Sequence, residues 1–172
     1  MEEKDVIVNR VAGSSLVTFD LEEYYHTGER ILIDMKDFLY EGLILREKEF
    51  REKLSTTDWE QYRETNIAIV CTVDAVIPSW AYMLITAKLS AIAHMVVFGD
   101  SSMLESALFS EALKSVDIEK FRDQKVVIKG CGKYPVTQGA YVEITRLLTP
   151  VVASLMYGEA CSTVPLYKRS KA

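Results

Sequence analysis

The chain has 172 residues, the size of one ordinary domain, and at that length a core forms without disulfides or metal. Apolar residues at 49% and charged residues at 26% exclude a disordered chain. The formal charge of −5 argues against broad nucleic-acid binding, which needs a positive field over phosphates.

The start, "MEEKDVIVNR", is acidic and lacks the basic region and apolar core of a signal peptide. A cytoplasmic protein is expected, with its three cysteines reduced rather than paired. In "SLVTFDLEEYY" and "RILIDMKDFL" there are two short strand-like runs. "LREKEFREKL" reads as a charged helix and "DWEQYRE" as a further helical turn, with a capping signal in "STTD" between them. Residues 1–66 are too short and charged for a core of their own, so they are expected to extend the α/β core at 67–168 within a single domain, 1–172.

From residue 67 short apolar runs alternate with helical patterns. The runs are "IAIVC" (67–71), "MVVFG" (95–99), "KVVIKG" (125–130) and "VVASLMYG" (151–158). "PSWAYMLITAKLSAI" opens a helix with Pro78 at its first position. "SMLESALFSEALKSV" sets Leu104, Leu108, Ala112 and Val116 at helical spacing, capped by Ser101 or Ser102. "VTQGAYVEITRLL" follows with Thr137 as its N-cap. The stretch from "IPSWAY" to "MVVFG" is apolar, but Lys88 and His94 break it, so it reads as helix then strand rather than membrane span. Starts about 30 residues apart suit βαβ units, and continuous apolar runs suit strands covered on both faces. The expected fold is α/β, a mostly parallel sheet of four strands with flanking helices and an N-terminal α+β extension. No internal repeat, low-complexity segment or linker is evident.

All three cysteines follow strand-like runs. Ligands of open α/β sheets bind beyond the carboxyl ends of the strands. If the runs ending at Cys71, Cys131 and Cys161 are neighbours, the three thiols share one rim. Strands about 4.8 Å apart and Zn–S bonds of about 2.3 Å then permit one metal site, zinc or an iron–sulfur cluster with one open position. Asp74, Asp100, Lys133 and Tyr134 would line the same rim as ligand-binding residues and favour an anionic small molecule at the helix N-termini. A second reading makes Cys131 a lone nucleophile, with Gly130 and Gly132 admitting close backbone approach. A third leaves the cysteines as core residues of an interaction module. There is no CxxC pair, no arginine after Cys131, and no GxGxxG or GxxxxGK[ST], which removes thioredoxin-type, phosphatase-type, dinucleotide and P-loop sites. His26 reads as an exposed loop residue and His94 lies at the opposite end of its strand, so no Cys–His mechanism is supported.

"GERILIDMKDFLYEGLILREKEFRE", "VIPSWAYMLI", "KGC" and "VPLYK" together resemble the bacterial family known as domain of unknown function 2480. The resemblance runs over nearly the whole chain. It implies that the N-terminal segment belongs with the α/β part and that the protein is a stand-alone cytoplasmic chain. It implies no activity, cofactor or partner. The chain is expected to form a homo-oligomer and to bind a small molecule, with no nucleic acid or membrane partner.

Overall fold

The computed structural model describes residues 16–159 and 162–170. The elements run β1 (Leu16–Asp20), β2 (Arg30–Asp34), α1 (Glu47–Thr56), β3 (Asn66–Val70), α2 (Ser79–Leu89), β4 (Met95–Phe98), α3 (Ser101–Leu113), β5 (Lys125–Lys129), α4 (Gln138–Leu148), β6 (Ser154–Glu159) and β7 (Ser162–Lys168). Short 3-10 helices follow β1 and β2 and precede β3 and β5. No helix among the described residues is long and apolar enough to cross a membrane.

The chain divides into two compact units. A central unit spans His26–Leu108, and a terminal unit joins the residues through Tyr25 to those from Phe109 onward. The central sheet, β2-β3-β4, is wholly parallel, with Arg30 beside Asn66 and Asn66 beside Met95. The terminal sheet, β1-β5-β6-β7, is mixed: β1, β5 and β6 are parallel and β7 runs antiparallel to β6.

This corrects the expected single, mostly parallel four-stranded sheet. Each of the four apolar runs contains a strand, the last only from Ser154 after Val151 and Val152 have packed into the core as a turn, but β3 and β4 belong to one sheet and β5 and β6 to the other. The N-terminal segment supplies β1 to one and β2 to the other. A continuous apolar run shows that a strand is covered on both faces; it does not name the strand it pairs with. The extra strand, β7, has a polar, Pro-containing sequence, "STVPLYK", of the kind tolerated only at a sheet edge.

The two units are built on one plan, and an internal repeat is present after all. Residues 50–100 align with 109–159 without a gap. Phe50 and Leu54 of α1 match Phe109 and Leu113 of α3, all four buried. Ala81, Ile85 and Leu89 of α2 match Ala140, Ile144 and Leu148 of α4, which likewise point into their own cores. Backbone detail repeats as well. Glu64 and Asp123 both take a left-handed conformation (φ 59° and 58°), and their amides donate to Ile92 O and Val151 O. Gly99, just after β4, and Gly158, next to last in β6, take φ of 127° and 117°. The spacing of about 30 residues seen in the sequence is thus half of a longer period, and divergence outside the buried positions hides it.

Local signals account for the junctions. Asp20 and Asp34 end β1 and β2, and each accepts the amide two residues on, from Glu22 and Lys36, which starts the following 3-10 turn. Thr137 caps α4 through the Ala140 amide. The cap of α3 is Asp100, through the Met103 amide, and not Ser101 or Ser102. Helix α2 begins at Ser79, one residue beyond Pro78.

His94 stands at the amino end of β4 as expected, but His26 is half-buried rather than an exposed loop residue. His26 and His94 stack with ring centres 4.1 Å apart. Fully buried Asn66 ties them together: its Nδ2 donates to Glu29 O and His26 Nδ1, and its Oδ1 accepts from His94 Nδ1 at 2.8 Å. The Gly28 amide also donates to His26 Nδ1, which fixes that nitrogen as an acceptor in the neutral ring.

Candidate functional site

At the carboxyl end of β5 the chain reads "GCGKYPVT" before α4 begins. Gly130 and Gly132 leave room for close approach to the backbone. What approaches is the protein itself. A Cβ at Gly130 would lie 2.8 Å from the Tyr141 hydroxyl, and one at Gly132 would lie 2.9 Å from the Glu22 carboxylate. Glu22, in the turn after β1, accepts the amides of Gly132 and Lys133, the latter at 2.9 Å. Led by the Lys133 amide, these bonds hold the Glu22 carboxyl below its ordinary range. An internal carboxylate therefore fills the amide nest that an anion would use.

The loop is fixed on its other side by aromatic stacking. Tyr134 lies on Tyr25 with ring centres 4.5 Å apart, and Lys133 Nζ sits 4.8 Å from the centre of the Tyr134 ring. Between these two anchors the Cys131 side chain is exposed, and its sulfur is 3.0 Å from the Tyr157 hydroxyl and 3.5 Å from that of Tyr141. Tyr141 comes from the first turn of α4 and Tyr157 from β6. Their rings meet edge to face at 5.6 Å.

The two hydroxyls, Tyr141 first and then Tyr157, draw the Cys131 pKa below that of a free thiol, against partial burial and the charges of Glu22 and Glu159. Both tyrosines are shifted up, Tyr141 chiefly by burial and Tyr157 chiefly by the sulfur, so the protons stay on oxygen and serve as hydrogen-bond donors to a thiolate. Beside this sulfur runs an apolar groove of about 510 Å³, lined by Ile128, Gln138, Tyr141, Val142, Thr145, Tyr157 and Leu166. That volume suits a small molecule.

The sequence-derived candidates fall in three places. Cys131, Lys133 and Tyr134 meet at the carboxyl end of the mixed sheet, with Lys133 and Tyr134 engaged by the protein's own groups. Cys71, Asp74 and Asp100 follow strands of the central sheet. There the Cys71 thiol donates to Val73 O, and Asp100 caps α3. Cys161 lies outside the described residues. A shared rim for Cys71 and Cys131 requires β3 and β5 to be near neighbours in one sheet, and they belong to different sheets. Among the described residues no group of three or more His, Cys, Asp or Glu side chains is placed to hold a metal ion.

Sequence reasoning missed Tyr141, Tyr157 and Glu22. Tyr141 had a usable signal, a hydroxyl-bearing aromatic in the first turn of the helix that follows the cysteine loop. Tyr157 and Glu22 did not, since their approach depends on β6 and β1 flanking β5.

No curated protein and no solved structure matches the chain. A family model described as Protein of unknown function (DUF2480) matches residues 5–169, and the chain belongs to that family.

Proposed function

We propose that the carboxyl end of the mixed sheet is a cytoplasmic thiol site, in which Cys131 reacts as a thiolate with a small substrate whose apolar body lies in the adjacent groove. The observation that carries this reading is the pair of tyrosine hydroxyls on one exposed sulfur. The surroundings narrow the chemistry. Both histidines of the chain belong to the central unit, so no imidazole base is available in the terminal unit. Glu22 occupies the loop amides that could stabilise an oxyanion. Thiol–disulfide exchange needs neither. The Cys131 thiolate attacks one sulfur of a small disulfide, an S–S bond forms as the old one breaks, and the departing thiolate takes a proton from solvent. The thiol reading is favoured over a metal site because one described sulfur, not three, stands at this end of the sheet.

Alkylation with iodoacetamide across a pH series, read by peptide mapping, tests the proposal. Cys131 should label faster than Cys71 near neutral pH, and its half-labelling point should lie below that of a free thiol. Tyr141→Phe with Tyr157→Phe should raise the half-labelling point and slow labelling near neutral pH, while Tyr82→Phe, the matching change in the central unit, should leave it unchanged. Val142→Lys should slow capture of an aromatic disulfide but not of hydroxyethyl disulfide. Labelling of Cys131 that ignores both tyrosines would overturn the thiolate assignment.

A further inference from the structure

The two repeats treat one sheet edge differently. In the terminal unit the outer side of β6 is paired with β7, and Leu166 of that strand walls the groove beside Tyr157 and Val142. The matching strand of the central unit, β4, has no strand on its outer side among the described residues. The side chains at the matching positions are exposed: Phe98, which aligns with Tyr157, is 65% accessible, and Met83, which aligns with Val142, is 69% accessible. An apolar edge of this kind is a template for another strand.

We propose that the β4 edge binds a second copy of this chain, the two β4 strands pairing antiparallel about a two-fold axis at Val97. The backbone sets this register. The amides of Met95 and Gly99 point inward, to Thr65 O and Ile69 O, so Val96 and Phe98 turn their N–H and C=O groups outward. In β6 the whole strand is opposed by β7, Leu155 by Tyr167, Met156 by Pro165 and Tyr157 by Val164, so the matching edge of the other repeat is one that takes an antiparallel strand. In an antiparallel pair, residues facing each other with outward groups exchange both hydrogen bonds. That sets Val96 of each copy opposite Phe98 of the other and leaves the two Val97 residues facing as the non-hydrogen-bonded pair on the axis.

The side chains agree with this register. Every pair between residues 96 and 98 is apolar. Next outward Met95 of each copy meets Gly99 of the other, and beyond the strand the two-fold brings His94 of each copy towards Asp100 of the other, imidazole towards carboxylate. Any other antiparallel register separates these two groups or sets Phe98 against a glycine or an acid. The contact lies outside the thiol site and does not depend on its chemistry.

Sedimentation velocity over a wide range of concentration tests this with the whole chain. The wild type should show a concentration-dependent dimer. Phe98→Lys should abolish it, since lysine on an edge strand opposes pairing. Phe98 is exposed, so this variant should keep the wild-type circular dichroism, and Met83→Lys is a second variant expected to weaken the dimer. Val97→Cys should form a covalent dimer under mild oxidation, linked through the introduced thiols as read by peptide mapping. A wild type that stays monomeric at high concentration overturns the proposal. So does a dimer that survives Phe98→Lys, or a dimer whose Val97→Cys variant cannot be linked at that position.

Discussion

The central and terminal units place the same buried residues on the same plan, yet they finish their sheets differently. Phe50 and Phe109, Ile85 and Ile144, and Leu89 and Leu148 fill matching positions in separate cores. At the carboxyl ends of the sheets the copies diverge. Where the terminal unit has Cys131 and Tyr157, the central unit has Thr72 and Phe98. The aromatic pair itself survives the change: Tyr82 meets Phe98 edge to face at 5.3 Å, as Tyr141 meets Tyr157 at 5.6 Å. What differs is the group the aromatics serve. Thr72 is turned to Asp34, its hydroxyl 2.5 Å from that carboxylate, whereas Cys131 stands exposed between two hydroxyls. The comparison separates residues that build the frame, common to both copies, from those that make a site, present in one.

The largest test is of the frame. Phe50→Ala and Phe109→Ala each empty a fully buried aromatic position and should each lower the unfolding free energy by about 3–5 kcal/mol, measured by urea denaturation. A large cost at one position and almost none at its partner would break the equivalence.

A smaller effect separates the capping aspartates. Burial pushes the Asp34 carboxyl up, but the Thr72 hydroxyl, the amides of Lys36 and Thr72 and the Lys36 side chain together bring it down to about 2. A carboxyl depressed on folding stabilises the native state above its unfolded pKa, and that stability is lost as the pH falls through the folded value. The contribution should be complete at neutral pH and fade between about pH 5 and pH 1. Asp34→Asn should cost about 1.5–3 kcal/mol at neutral pH, the range for hydrogen bonds to a charged group. It should also flatten the acid limb of the stability curve. Asp20 holds Lys129 at 2.8 Å in a more open setting, so Asp20→Asn should cost less, about 0–1 kcal/mol. Equal costs would mean that the two turns are held in the same way.

The smallest effect belongs to the central unit alone, because the terminal unit has no histidine. Burial first, then His94 and Arg30, hold the His26 imidazole below its ordinary pKa, with Glu105 opposing. A base depressed on folding favours the native state above its unfolded pKa, near 6.5, and that benefit shrinks as the pH falls below it. Thermal unfolding between pH 7.5 and 5.5 should show a loss of less than about 1 kcal/mol after solvent screening, and His26→Asn should remove it. A variant as pH-sensitive as the wild type would place the response elsewhere.

Much of the local structure was legible in the sequence. The apolar runs contain strands, Thr137 caps its helix, and "LVTFD" and "RILID" are β1 and β2. These features depend on neighbours a few residues away. Sheet membership was not legible, because β1 pairs with β5 across more than a hundred residues and nothing in "LVTFD" names its partner. Of the candidate site, Cys131 and its loop could be picked out. Tyr141 carried a signal in the first turn of the following helix, but Tyr157 and Glu22 carried none, since they reach the loop only once β6 and β1 have packed beside β5.

The pairing of Leu16 with Lys125 has a consequence for how the chain comes into being. The central unit is one continuous stretch, and its strands find partners within a few dozen residues. The terminal sheet must wait, because β1 leaves the ribosome first and β5 emerges only after the whole central unit has been made. Contacts that close long loops form late and lose more chain entropy before they are rewarded. During synthesis β1 is therefore a strand without a sheet, and its apolar side chains are exposed for the time needed to translate the residues between. A chaperone that shields "LVTFD" would act in that interval, and slow translation ahead of residue 125 would lengthen it.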